Sequence, residues 1–261
     1  MFSAELNSVI NSFAPVHLDD LENFRLMSRI DTKFLMTIDR LPYLLSEIVS
    51  DYKILEIGEN RIFRYNTNYF DTREYSFFMA HVTGKLVRHK VRFREYEING
   101  KTFLEIKSKM QNNRTVKRRI EAERYTSFFD EKYSDFIKKH TQTDAVNLMP
   151  VLSNTFKRIT LAGNKTNERI TIDHGLFFST MNGSKQSLPF LAVVEVKTEG
   201  FPKQTPIVSS LRKINIRPQQ FSKYCIGTAL LRKDTRNNIL KSQLLLLNKL
   251  KNEYSEFHNG C

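Results

Sequence analysis

The chain has 261 residues, with 41 Lys and Arg against 28 Asp and Glu, a net charge of +13 and an isoelectric point near 9.7. That length suits one large domain, and the positive balance points to an anionic partner: nucleic acid, an anionic membrane surface, or a phosphorylated molecule or polymer. The two cysteines, Cys225 and Cys261, are far apart, which argues against a disulfide framework or a thiolate zinc site. No run of about eighteen apolar residues occurs and residues 1–10 carry no basic stretch, so neither a membrane span nor a signal peptide is expected and the cytoplasm is the expected location.

In chain order, residues 3–13 read as a short helix ending before Pro15, and Asp19, Asp20 and Glu22 open a second acidic segment. Residues 25–38 read as extended, with Arg29, Asp31 and Lys33 on one face, and Asp39 is a candidate cap for a helix over 40–49. Two strands follow around Gly58, the second from Arg61 through Thr72, then a helix over 73–81. Residues 85–110 form a hairpin whose Asn99-Gly100 pair favours a tight type I′ turn, and another strand covers 115–123. Over 127–140 the residues Phe128, Phe129, Tyr133, Phe136 and Ile137 recur at helix spacing and read as core. Strands at 154–162 and 168–174 flank a polar loop, and a further hairpin turns near Asn182-Gly183 and returns over 190–197. Helices are expected over 205–213, 220–231 and 239–254, the last with Leu244, Leu245, Leu247 and Leu250 as a packing face. No repeat or low-complexity linker divides the chain, so residues 1–261 read as a single domain.

Charged residues recur at every second position in five of these strands. Lys90, Arg92 and Arg94 form one row; Glu105, Lys107 and Lys109 a second; Lys117, Arg119, Glu121 and Glu123 a third; Arg169, Thr171 and Asp173 a fourth; Glu195, Lys197 and Glu199 a fifth. Strand side chains alternate between faces, and the intervening Val91, Phe93, Leu104, Ile106, Ile170, Ile172, Val194 and Val196 are apolar. One such strand is an ordinary solvated edge. Five suggest a sheet curled around a polar, basic interior, suited to a highly charged ligand. Cations crowded there repel one another, so loss of Arg92 or Arg94 is expected to weaken anion binding and leave stability intact.

The chain has nine glycines and no GxxxxGK[ST] loop, so phosphates would be held by Arg and Lys side chains. The six histidines are scattered and no GxSxG elbow occurs. The carboxylates Glu105, Glu121, Glu123, Asp173, Glu195 and Glu199 stand among the cations, either neutralising them or holding Mg²⁺ or Mn²⁺ beside substrate phosphates; for Glu195 the metal role is favoured.

The segments RIDTKF (29–34), YFDT (69–72), KVRFREY (90–96), FLEIKSK (103–109), TVKRR (115–119), FKRIT (156–160), ERITID (168–173), LPFLAVVEVK (188–197) and FSKYCIG (221–227), in that order, resemble the VTC-domain polyphosphate polymerases of the triphosphate tunnel metalloenzyme superfamily. The resemblance runs from residue 25 to 231. It implies an α+β fold: a closed antiparallel β-tunnel of about eight strands with a basic interior and helices packed outside. It also implies a polymerase that moves the γ-phosphoryl group of ATP onto a polyphosphate chain with Mn²⁺ or Mg²⁺. By motif, the phosphate-binding residues would be Lys33, Lys90, Arg92, Arg94, Lys107, Lys117, Arg158, Arg169, Lys197 and Lys223. Arg92, Arg94, Lys197 and Glu195 would form the catalytic group, with Glu195 the metal ligand. The superfamily's ExExK signature is absent near residue 30, where RIDTKF stands. A tunnel triphosphatase and a non-catalytic polyanion-binding module, one that could sit beside a membrane-protein partner, are the alternatives. Specific nucleic-acid binding is disfavoured because it would need exposed aromatics among the basic rows.

Overall fold

The computed structural model describes residues 2–22, 30–111, 114–199, 205–232 and 237–259; Arg29 and Cys261 lie outside these. In chain order the elements are α1 (Phe2–Ser12), β1 (Ala14–Val16), α2 (Leu18–Glu22), β2 (Ile30–Thr37), α3 (Leu41–Ser46), β3 (Tyr52–Leu55), β4 (Phe63–Thr72), α4 (Ser76–Val82), β5 (Arg88–Tyr96), β6 (Lys101–Lys109), β7 (Thr115–Ala122), α5 (Glu131–Thr141), β8 (Leu148–Gly163), β9 (Glu168–Ser179), β10 (Lys185–Thr198), α6 (Pro206–Lys213), α7 (Lys223–Leu231) and α8 (Lys241–Asn259). One sheet takes up the strands in the order β2-β10-β9-β8-β4-β5-β6-β7, antiparallel throughout this path, with β3 joined to β8 and β1 added to β3 in parallel. Among the described residues the ladder does not join β2 to β7, so hydrogen bonding leaves the sheet open at that seam. It is nonetheless curled: Lys107 on β6 reaches Asp31 on β2 across the interior, at 3.7 Å.

The outer face carries two apolar layers. Phe34, Met36, Ile159, Ile170, Ile172, Val194 and Val196 from β2, β8, β9 and β10 pack against Leu6, Leu41, Leu44, Ile207 and Leu211 from α1, α3 and α6. Phe70, Val91, Phe93, Leu104 and Ile106 from β4, β5 and β6 pack against Tyr133 and Ile137 of α5. Each such fully buried side chain contributes roughly 1.5–3 kcal/mol, which forces the alternate residues inward. The third cluster joins Tyr65, Tyr69, Leu152, Phe156 and Val193 of the strands to Tyr224, Ile226, Leu247 and Leu250 of α7 and α8. These strand residues share the inner face with the cations, so α7 packs inside the curl rather than outside it.

Local chemistry explains where the elements depart from sequence expectation. The β5–β6 loop has four residues, 97–100, and only Gly100 takes positive φ (65°). A type I′ turn needs two such residues, and here the Asn99 side chain instead accepts from the Lys101 amide, at 3.1 Å. Helix α5 starts at Glu131 because the Asp130 carboxylate caps the Tyr133 amide (2.8 Å), which leaves Phe128 outside the helix and 82% exposed. The return strand β10 begins at Lys185 and absorbs Pro189 in a bulge between Leu188 and Ala192, where proline's missing donor costs no ladder bond. In α8, Leu244, Leu247 and Leu250 face the body and Leu245 turns out. Among the described residues no helix is long and apolar enough to cross a membrane.

The seat of α7 depends on Gly227. A Cβ there would lie 2.5 Å from Cδ1 of Phe178 and 2.8 Å from Cδ2 of Leu152, both fully enclosed. Gly227→Ala should therefore destabilise the protein by about 1–3 kcal/mol, although alanine favours helix. Urea unfolding monitored by circular dichroism measures this, and a stabilised variant would show that α7 is loosely seated.

Candidate active site

Strand alternation and register bring the expected residues to one surface. Lys33 (β2), Lys90, Arg92 and Arg94 (β5), Lys107 (β6), Lys117 (β7), Arg158 (β8), Arg169 (β9) and Glu195 and Lys197 (β10) all occupy inner-face positions, and Lys223 enters from the first turn of α7. Cross-strand pairing sets their neighbours: Glu195 stands opposite both Lys33 and Thr171, Lys197 opposite Arg169, Arg92 opposite Glu105, Lys90 opposite Lys107, and Lys107 opposite Lys117.

Two buried carboxylates, Glu105 and Asp173, and the half-buried Glu195 organise these cations. Glu105, 1% exposed, accepts from Arg92 Nε (2.9 Å) and Nη2 (2.7 Å), lies 3.9 Å from Arg94 Nη1, and pairs with Lys117 through its other oxygen. Asp173 accepts both Arg158 Nε (2.5 Å) and Nη2 (2.7 Å), and also receives Lys223. Glu195 pairs with Lys33 through one oxygen (2.7 Å) and with Lys197 through the other (2.6 Å), while the Lys197 ammonium also reaches the Thr171 hydroxyl at 3.1 Å. Lys90 donates to the Ser222 hydroxyl at 3.0 Å, and that same oxygen caps α7 by accepting from the Cys225 amide.

Ion pairing competes with burial at every member. Burial alone would raise the Glu105 carboxyl, but Arg92, Arg94 and Lys117 outweigh it and hold the group well below the carboxylate range. Asp173 is treated alike by Arg158 and Lys223, and Glu195 by Lys197 and Lys33. Where cations outnumber carboxylates the balance reverses. Burial, reinforced by neighbouring Arg and Lys charges, lowers Lys90 and Lys107 each to about 8. Lys117 falls to about 7: burial is the largest cause, the Glu105 carboxylate opposes it, and Arg92 and Arg94 add to the lowering.

Most of the cations are therefore paired with carboxylates, and the sequence expectation of simple mutual repulsion needs correction. Loss of Arg92 leaves Glu105 buried with part of its compensation gone, so it costs stability instead of sparing it. Glu105 and Asp173 emerge as hubs, with Thr171, Ser222, Tyr65 and Tyr69 beside them. Their signal lay in the alternation itself, since each stands in phase with a cation row. Arg158 and Lys223 also lie 5.2 and 4.4 Å from the ring centroids of Tyr65 and Phe156 respectively. Lys109, Glu121, Glu123 and Glu199 do not join the three hubs: Glu121 meets Lys101 at 3.9 Å on an exposed edge, and Glu199 is bonded by Asn167.

Among the described residues no three His, Cys, Asp or Glu side chains gather as a metal cage. Glu195 is the carboxylate nearest to that role, and both its oxygens already hold ammonium groups. This donor set fits a divalent ion that shares its shell with substrate phosphates, as Mg²⁺ commonly does, and does not fit one held by protein alone.

A family model of the VTC domain matches residues 28–232. Among solved structures, a candidate adenylate cyclase from Bacillus halodurans is 14% identical, covers 75% of this chain and 94% of its own, and superimposes with a TM-score of 0.50, which supports a shared fold. A candidate adenylyl cyclase from Hippeastrum with a dominant triphosphatase activity matches at 14% identity over 79% of this chain and 98% of its own, TM-score 0.49. A third, from Vibrio parahaemolyticus, is also described as a candidate adenylate cyclase and reaches 9% identity, 77% and 98% coverage, and TM-score 0.46. No curated protein matches the sequence.

Two outcomes follow from the electrostatics. An anion bound among Lys117, Lys90 and Lys107 stabilises their protonated forms, so binding takes up protons and affinity falls as pH rises from about 7 to about 9. Calorimetry with inorganic tripolyphosphate in buffers of different ionisation enthalpy reads the uptake; zero uptake at pH 8 would refute the lowered lysines. Glu105→Gln leaves Arg92, Arg94 and Lys117 without their shared anion, costing about 3–5 kcal/mol. Tripolyphosphate should then raise the melting temperature of this variant more than that of the parent.

Proposed function

The chain belongs to the VTC-domain family, and from that premise we propose that it is a polyphosphate polymerase that transfers the γ-phosphoryl group of ATP onto a growing polyphosphate chain. The observation that carries this reading is the inner surface of cations contributed by seven strands and one helix, most of them paired with Glu105, Asp173, Glu195 or Asp31. Phosphoryl transfer asks little covalent chemistry of a protein; positioning and neutralisation of equatorial oxygens supply most of the acceleration. Arg and Lys groups already set on the inner face by strand register do both once phosphate oxygens replace their carboxylate partners.

In this reading the curled sheet acts as a closed tunnel, the whole chain works as one domain in the cytoplasm, and ATP and polyphosphate are its ligands. Arg158 and Arg92 take phosphate oxygens in two-pronged fashion as their carboxylates yield, because a phosphate oxyanion presents the same acceptor geometry. Lys33, Lys90, Arg94, Lys107, Lys117, Arg169 and Lys223 extend the contact along the chain of phosphates. Lys197 and Glu195 act at one locus. Lys197 binds phosphate, and Glu195, released from the two ammonium groups, would hold Mn²⁺ or Mg²⁺, whose chemistry is to neutralise phosphate charge.

Purified protein incubated with ATP and Mn²⁺ should yield long-chain polyphosphate on a gel. Phosphate release without polymer would assign a triphosphatase, and binding without turnover a polyanion-binding module. Glu195→Gln should lower turnover by about 10²-fold or more while ATP binding without metal persists. Lys197→Met should damage ATP binding itself. Normal Mn²⁺-dependent turnover in Glu195→Gln would sink the metal assignment.

A further inference from the structure

A row of aromatic rings crosses the inner face beside the cations. Phe156 on β8 stacks on Tyr65 of β4, with centroids 5.2 Å apart and planes within 4°. Tyr65 meets Tyr96 of β5 edge-on at 5.1 Å, and Tyr96 meets Phe103 of β6 edge-on at 5.8 Å. Arg119 of β7 ends the row, its guanidinium 4.6 Å from the Phe103 centroid. Register accounts for the alignment: Tyr65 stands opposite both Phe156 and Tyr96, while Phe103 stands opposite Arg94.

The two ends of the row differ. Phe156 and Tyr65 are buried, with Arg94 and Arg158 each about 5–6 Å from their ring centroids, and packing accounts for them. Tyr96 and Phe103 stay half-buried, and Arg119 is exposed. Both rings keep part of their surface open to solvent within one cross-strand pair of Arg94, Tyr96 packing on the core from one side and Phe103 meeting the Arg119 guanidinium. Flat π surface beside a row of phosphate-sized cation sites suits a ligand that carries both a flat ring and a run of phosphates.

We propose that Tyr96, Phe103 and Arg119 form a stacking subsite for the nucleobase of the nucleoside triphosphate donor, with its phosphates directed toward Arg94 and Arg92. This rests on the proposed phosphoryl-transfer function and goes beyond it by stating where the base lies. Stacking reads a ring's π face and not the hydrogen-bonding pattern of its edge, so the subsite takes purines as a class and discriminates weakly between adenine and guanine. Arg119, planar and exposed on a flexible stem, can cover the second face of the base by the same guanidinium stacking it now makes with Phe103.

The test compares ATP with inorganic tripolyphosphate, which lacks the base, by calorimetric titration of the full chain at one ionic strength. In Phe103→Leu, which keeps apolar volume against Tyr96, ATP affinity should fall roughly 5- to 100-fold while tripolyphosphate affinity stays unchanged. Arg119→Gln, at an exposed position with no core role, should shift the two ligands apart in the same direction and covers the case in which Phe103→Leu folds poorly. Equal losses for both ligands would overturn the subsite and leave the row as a support for the cations. Unchanged ATP affinity in both variants would also overturn it, placing the base elsewhere. Failure of the parent protein to bind tripolyphosphate would remove the proposed function, and the subsite with it. That outcome is distinct from the other two because it concerns the phosphates alone.

Discussion

The structure depends on a charge problem solved inside the sheet. The ten lysines and arginines gathered at the inner surface would oppose folding, through desolvation and through mutual repulsion in a medium of reduced dielectric constant. Glu105, Asp173 and Glu195 offset this by each holding two cations at hydrogen-bond distance. The compensation is incomplete: burial loosens the protons of Lys90, Lys107 and Lys117 at the crowded end, and also lowers Lys197 and Lys223 against their carboxylate partners. A polyanion entering this interior supplies the missing negative charge. Stability and ligand affinity are thus two readings of one electrostatic imbalance.

Helix α7 ties that imbalance to the rest of the molecule. Its capping residue Ser222 takes the Lys90 ammonium, its first residue Lys223 reaches Asp173, and its second, Tyr224, donates to Asp71 and stacks on Tyr69 at 5.0 Å. Asp71 in turn accepts the amides of Thr72, Phe77 and Phe78, closing the turn from β4 into α4. Burial raises the Asp71 carboxyl against those hydrogen bonds, so the latch is costly to break and costly to leave half made. Position of one cationic side chain, Lys223, is therefore set jointly by two helices and three strands.

The Bacillus halodurans structure shares this chain's fold at 14% identity, and a fold does not by itself name a reaction. What separates chemistries on a common curled sheet is the inner row. Here that row mixes paired cations with aromatic rings, and the described residues offer no cage of carboxylates for a metal held by protein alone. Catalysis on such a surface would draw its metal-binding oxygens from the substrate.

Much of this was legible in the chain. Period-two alternation assigns Lys90, Arg92 and Arg94 to one face and Val91 and Phe93 to the other, because a strand offers no third choice. The ordered motifs from RIDTKF to FSKYCIG carry the family. Local turn chemistry was less legible: Asn99-Gly100 promised a two-residue turn, and the side chain of Asn99 closed a four-residue one. The sequence by itself determined that cations and carboxylates would share a face. Which carboxylate meets which cation, that Asp173 joins Arg158 on a neighbouring strand to Lys223 on a helix fifty positions later, and that α7 lies inside the curl were decided only by tertiary structure. The reason is physical. Face is a property of one strand's own period, whereas partnership depends on register between strands and on the sheet's curl, and both arise from contacts among residues far apart in the chain.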